Sequence, residues 1–158
     1  MKKILLLPTV IVLLIAILFA GACQKTDEPE PKDVTIYLKD ITEEDGEPQL
    51  EMYDSNDTTK VVINTLITDV WPGFRAIWAP VNNSGILEIV QIGPKEPGGS
   101  IFIQDARPIP DTNRFMLEIP VDVEPEVEEE YYIHYIDTLG ILRIIDPHLR
   151  VPPAAGGN

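Results

Sequence analysis

The chain has 158 residues, 44% of them hydrophobic, with 12 lysines and arginines against 26 aspartates and glutamates and a formal net charge of -14. A surface so acidic repels phosphate backbones, which excludes nucleic acid as a partner. One cysteine and two histidines exclude an internal disulfide, every cysteine-clustered metal site and a three-histidine zinc site.

Met1-Lys2-Lys3 is a positive start, Ile4 to Phe19 is an almost unbroken apolar run, and small residues follow. That is the order of a secretory signal, so residues 1–22 are expected to be a signal-peptide helix. Ala20-Gly21-Ala22-Cys23 resembles the lipobox of bacterial lipoproteins, with Ala20 where the family usually carries leucine. The resemblance implies that the Cys23 thiol receives a diacylglyceryl group, that the signal is cut before Cys23, and that the new amino terminus is acylated. More than one buried chain, at ~0.8 kcal/mol per CH₂, then anchors the protein to a membrane. The competing reading is an uncleaved anchor, since the run nearly reaches the roughly 20 apolar residues that span a bilayer. Pro8 and the small-residue ending favour processing.

Residues 23–33 alternate acid with proline and, beyond Cys23, offer no large apolar side chain, which predicts a disordered, solvated tether. Gln24 resembles outer-membrane sorting, and Lys25 followed by Asp27-Glu28 is similar to an export tag of surface lipoproteins in some Gram-negative envelopes. The implied location is the cell envelope, at the outer membrane, with exposure at the cell surface as one outcome.

From Val34 onward short alternating or β-branched segments are broken by Gly, Pro, Asn or Asp. Strands are expected at Val34 to Leu38, Leu50 to Tyr53, Lys60 to Ile67, Arg75 to Trp78, Ile86 to Ile92, Ile101 to Ile103 and Phe115 to Ile119. Val70-Trp71-Pro72-Gly73 reads as a tight turn, with proline presetting one central position and glycine taking positive φ at the next. Arg107 to Asp111 cannot be a central strand, because proline lacks the ladder donor. Val121 to Glu130 reads as an acidic loop. The strongest hairpin pairs Tyr131 to Ile136 with Ile141 to Ile145 across Asp137-Thr138-Leu139-Gly140. Residues 152–158 are expected to fray as a disordered tail.

These segments predict an all-β domain over residues 34–151, an antiparallel β-sandwich. Asp69 to Trp78, followed by Asn83-Ser84-Gly85-Ile86, resembles cupredoxin-like domains. The Tyr131 to Tyr135 strand, closing on Asp146 to Val151, is similar to the last hairpin of such exported cupredoxin-like or immunoglobulin-like sandwiches. A blue-copper site needs two histidines, a thiolate and usually an axial methionine. Met52 or Met116 could serve, but no cysteine remains beyond Cys23, so a shell without copper is expected and no cofactor or metal is assigned.

His134 and His148 are expected as surface or hydrogen-bonded residues. Ser55, Ser84 and Ser100 lie in turns without a nucleophile motif, and the abundance of acids makes any carboxylate pair uninformative. Asp54, Asn56 and Asp57, or Glu43 to Asp45, or Glu124 to Glu130, could offer oxygens to calcium but lack an EF-hand pattern. Asp57-Thr58-Thr59 and Asp137-Thr138-Leu139 resemble O-glycosylation tripeptides. Alternation buries Val70, Ala76 and Trp78 and leaves Trp71 and Phe74 exposed at the turn, where they either stack on a sugar or a partner or cover the end of the sandwich. No catalytic residue is assigned. The expected function is a non-enzymatic binding module attached through acyl chains on Cys23, with an envelope protein or a glycan as partner. The alternatives are an accessory carbohydrate-binding module using Trp71 and Phe74, and a divergent hydrolase.

Overall fold

The computed structural model describes residues 31–43 and 46–154; the expected signal peptide, Cys23 and residues 24–30 of the tether lie outside them, as do residues 155–158. The strands are β1 (Val34–Asp40), β2 (Leu50–Asp54), β3 (Val62–Ile63), β4 (Ile67–Asp69), β5 (Arg75–Pro80), β6 (Ile86–Pro94), β7 (Arg107–Pro108), β8 (Phe115–Glu118), β9 (Glu128–Asp137), β10 (Leu142–Ile145) and β11 (His148–Arg150). Together they form an all-β domain of two open sheets.

The first sheet runs β3-β2-β1-β5-β8-β7, and in the second β9 carries β6 on one edge and β10 then β11 on the other, with β4 outside β11. Both sheets are mixed, which corrects the antiparallel expectation. β1 pairs with β5 in parallel, Val34 opposite Ala76, and β11 pairs with β4 in parallel, His148 opposite Ile67. Alternation is the same along a strand whichever way its neighbour runs, so the pattern carried no sign of this.

Alternate residues of both sheets meet in one core. Ile36, Leu38, Met52, Trp78 and Leu117 come from the first sheet, and Ile92, Tyr131, Ile133, Tyr135 and Leu149 from the second. The interval expected as one strand from Lys60 to Ile67 is instead a corner between sheets. Asn64 takes φ 62°, in the left-handed region, which asparagine tolerates better than most residues. Its side chain accepts the Leu50 N–H at 2.7 Å and donates to the Pro48 carbonyl at 2.9 Å, while its own N–H donates to Leu50 at 3.0 Å. Those bonds finish the first sheet, and β4 begins the next.

Ile101 to Ile103 is not a strand either. The Glu129 carboxylate reaches in from β9 and accepts the N–H groups of Ser100, Ile101 at 2.8 Å and Phe102 at 3.0 Å. A side chain replaces the partner strand, and Ile101 and Phe102 are buried beneath it. At the other end of the acidic loop, β9 begins at Glu128, earlier than alternation alone suggested.

The Asp137 to Gly140 hairpin forms as expected. Gly140 takes φ 79°, and the buried Asp137 carboxylate accepts the N–H groups of Leu139 and Ile141, each at 2.9 Å, and Arg143 Nε at 2.9 Å. β10 and β11 keep a single register on β9 through Asp146 and Pro147, where the Pro147 carbonyl still accepts the Tyr131 N–H at 3.0 Å.

Candidate functional site

Trp71 and Phe74 sit at the turn between β4 and β5. The turn forms as read, with the Phe74 N–H donating to the Trp71 carbonyl at 3.1 Å and Gly73 at φ 80°. Its sides are fastened as well: Val70 N–H donates to Arg150 at 2.8 Å, and Gly73 and Phe74 bracket Ile119 with bonds of 3.0 and 2.9 Å. The turn therefore lies against the ends of both sheets. Trp71 is only 8% exposed, which corrects the expectation that its ring projects, whereas Phe74 is 36% exposed.

Beside Gly73 of this turn lies an open depression of about 410 Å³, bounded by Arg75 and Glu118 and by the exposed aliphatic side chains of Ile103 and Val121. Its charges are committed. Arg75 clasps Asp33, the residue before β1, and the guanidinium's hydrogen bond holds the Asp33 carboxyl below its ordinary value. Glu118 pairs with Arg107 at 2.6 Å.

The outer face of the second sheet divides into two halves. Around β11 the polar side chains pair with one another: Lys95 with Glu130 at 2.8 Å and Asp146 at 3.0 Å, His148 Nδ1 with Glu128 at 3.0 Å, and Arg150 with Asp69 at 2.7 Å. Around β10 the face is aliphatic. Ile136 of β9 lies opposite Leu142, and His134 opposite Ile144, with Leu142 55% and Ile144 48% exposed. Two bulges in β6 turn Leu87 and Val90 outward on the other side of β9.

Tyr132 closes this half-face, its ring stacked on His134 with centroids 4.5 Å apart. Gln91 donates to the Tyr132 hydroxyl at 2.8 Å and to Asp105 at 2.6 Å, across Gly93. A β-carbon at Gly93 would meet that hydroxyl at 2.7 Å, so the absent side chain is what admits the cluster. Sequence reasoning missed this surface. The signal was in plain view, since Tyr132, His134 and Ile136 alternate with the core residues of β9, and Leu142 and Ile144 with those of β10.

The chemistry-bearing residues are mostly occupied in architecture. Ser55 Oγ accepts the Thr35 N–H at 2.9 Å, Ser84 Oγ the Ile86 N–H at 3.2 Å, and Ser100 Oγ lies 3.2 Å from Glu129. Asp54 accepts the N–H groups of Asn56 and Asp57 at 2.8 and 3.2 Å, and Asp57 holds Thr59. Those oxygens form turns. Among the described residues no three of His, Cys, Asp and Glu gather to hold a metal ion, and no helix is long and apolar enough to cross a membrane. Searches of protein-family models and of curated proteins return no match to this chain.

Proposed function

We propose that the chain is a lipid-anchored lipoprotein of the cell envelope whose two-sheet domain is a non-enzymatic module that binds another macromolecule. Anchoring rests on the lipobox-like Ala20-Gly21-Ala22-Cys23 junction, and Gln24 supports the outer membrane as its address. The observation that carries the binding reading is the aliphatic half-face of the second sheet, where Leu87, Val90, Leu142 and Ile144 are exposed beside Ile136. Contiguous apolar surface of this kind is maintained in a stable domain when something covers it. Glycan stacking at the turn loses support from the burial of Trp71, because Phe74 alone is a small platform.

Intact-mass measurement of the membrane fraction tests the anchor: the expected product begins at Cys23 and carries acyl chains, and Cys23→Ser is expected to leave the chain unlipidated. A Cys23→Ser protein that is still processed and still partitions with membranes would refute the anchor. Turnover of an ester or glycan substrate, abolished by changing one carboxylate, would refute the non-enzymatic reading.

A further inference from the structure

Building on the binding-module reading, we infer that the outer edge of β10 accepts one added β-strand from a basic partner protein, whose alternate aliphatic side chains extend the apolar half-face beside Leu142 and Ile144. The backbone phase of the hairpin carries the argument. Asp137 N–H donates to the Ile141 carbonyl at 3.0 Å, so every second pair along the ladder exchanges hydrogen bonds, and Arg143 and Ile145 turn their main-chain groups toward β9. Leu142 and Ile144 turn theirs away. The same phase continues to His148, whose outward N–H donates to Leu66 at 3.0 Å, in the lane that β4 fills. Alongside β10 that lane is open: among the described residues nothing bonds to the main chain of Leu142 or Ile144.

The other edges are blunted. The Asn113 side chain acts as a one-residue strand on β6, accepting the Ile89 N–H at 2.9 Å and donating to the Leu87 carbonyl at 3.1 Å, and Ala106 N–H takes the Ile92 carbonyl at 2.9 Å. β3 and β7 are two residues each, and β7 carries Pro108. On β4, the Asp69 carbonyl accepts Asn56 Nδ2 at 3.1 Å. An edge left open and aliphatic is a template for strand addition.

Charge selects the occupant. Lys95, His148 and Arg150 are taken by carboxylates, and Arg143 is turned inward to Asp137. On the opposite face of β10, Arg143 Nη1 donates to the Gly46 carbonyl at 3.3 Å, and the exposed Glu43 and Glu47 that flank Gly46 in the chain have no cation partner among the described residues. A second copy would set acid against acid, on a chain whose net charge is -14. A strand alternating lysine or arginine with valine or isoleucine meets both features, its apolar residues beside Leu142 and Ile144 and its cations on the opposite face, toward Glu43 and Glu47.

The test uses the full chain in a non-ionic detergent and a nine-residue, end-blocked peptide alternating lysine and valine. Amide hydrogen exchange at Leu142 and Ile144 is expected to slow at least about tenfold on binding. Ile144→Pro, which removes an outward N–H, is expected to weaken binding, and so is replacing the peptide's lysines with glutamate. A peptide N-methylated on one edge is expected not to bind; this control leaves the protein unaltered, so it does not depend on the folding of the proline variant. Equal binding of the N-methylated peptide, or binding without protection of those two amides, overturns the strand inference and leaves the binding-module reading standing. Protection of the same amides by concentration-dependent dimerisation overturns the assignment of a basic partner. No binding of the alternating peptide overturns the inference as well.

Discussion

Trp78 of β5 donates its indole N–H to the Tyr131 hydroxyl of β9 at 3.0 Å, a hydrogen bond that crosses the core from one sheet to the other. The rings meet edge to face with centroids 5.5 Å apart, and Phe102 stacks on Tyr131 at 5.3 Å. Phe102 is held there by Glu129, so one cluster ties both sheets to the loop between β6 and β7. Tyr131→Phe keeps the ring and strands the indole donor in a fully buried place. The expected cost is about 1–3 kcal/mol, read as a lower urea midpoint with an unchanged slope.

Burial pushes the phenols of Tyr131 and Tyr135 far up from the ordinary value of 10.0, and for Tyr135 the nearby Asp40 carboxylate pushes the same way. Above that value the unfolded chain releases protons that the folded chain retains, so stability falls as pH rises past it and is fully present below it. Urea midpoints measured from about pH 9 to about pH 11 are expected to decline. The decline should be shallower in the Tyr131→Phe, Tyr135→Phe double variant; an equally steep one would remove these phenols as its cause.

At the hairpin, desolvation of Asp137 is outweighed by the Ile141 N–H, Arg143 and the Leu139 N–H, which leaves its carboxyl below the ordinary 3.8. The contribution is present above that value and is lost as pH falls through the lower folded one. Asp137→Asn is expected to speed amide exchange at Leu139 and Ile141 and to lower the melting temperature. Arg143→Leu tests the pair from the other side, leaving the carboxylate without its cation.

Glu129 is expected to control the loop between β6 and β7 more than any residue within that loop. Glu129→Gln weakens the bonds to Ser100, Ile101 and Phe102 and should cost about 1–3 kcal/mol, with faster exchange of those three amides. Gly99→Ala should act in the same direction, because a β-carbon there would collide with the Glu129 carboxylate. Preserved exchange rates in both variants would mean that the loop is held by the burial of Ile101 and Phe102 alone.

Asn113→Ala removes the mock strand from the edge of β6. Faster exchange at Ile89 is the direct readout, and concentration-dependent association measured by sedimentation is the expected consequence of a second open edge. Asn113→Asp keeps the acceptor for Ile89 and should restore only that half.

The sequence by itself determined what is local: the tight turn at Val70-Trp71-Pro72-Gly73, the hairpin at Asp137 to Gly140, and the burial of Val70, Ala76 and Trp78 on one face. These follow from neighbouring residues, because period-two alternation and positive-φ glycines act within a few positions. Tertiary structure alone decided which strands pair and in which direction. Val34 finds Ala76, and His148 finds Ile67, through contacts that no periodicity encodes. It also decided that Asn64 turns a corner where alternation continued, that Glu129 stands in for a strand beside Ile101 and Phe102, and that Trp71 is buried while Leu142 and Ile144 are exposed. For Asn64 and Glu129 the deciding partners are remote in the chain, and a side chain's exposure depends on whether such a partner arrives to cover it.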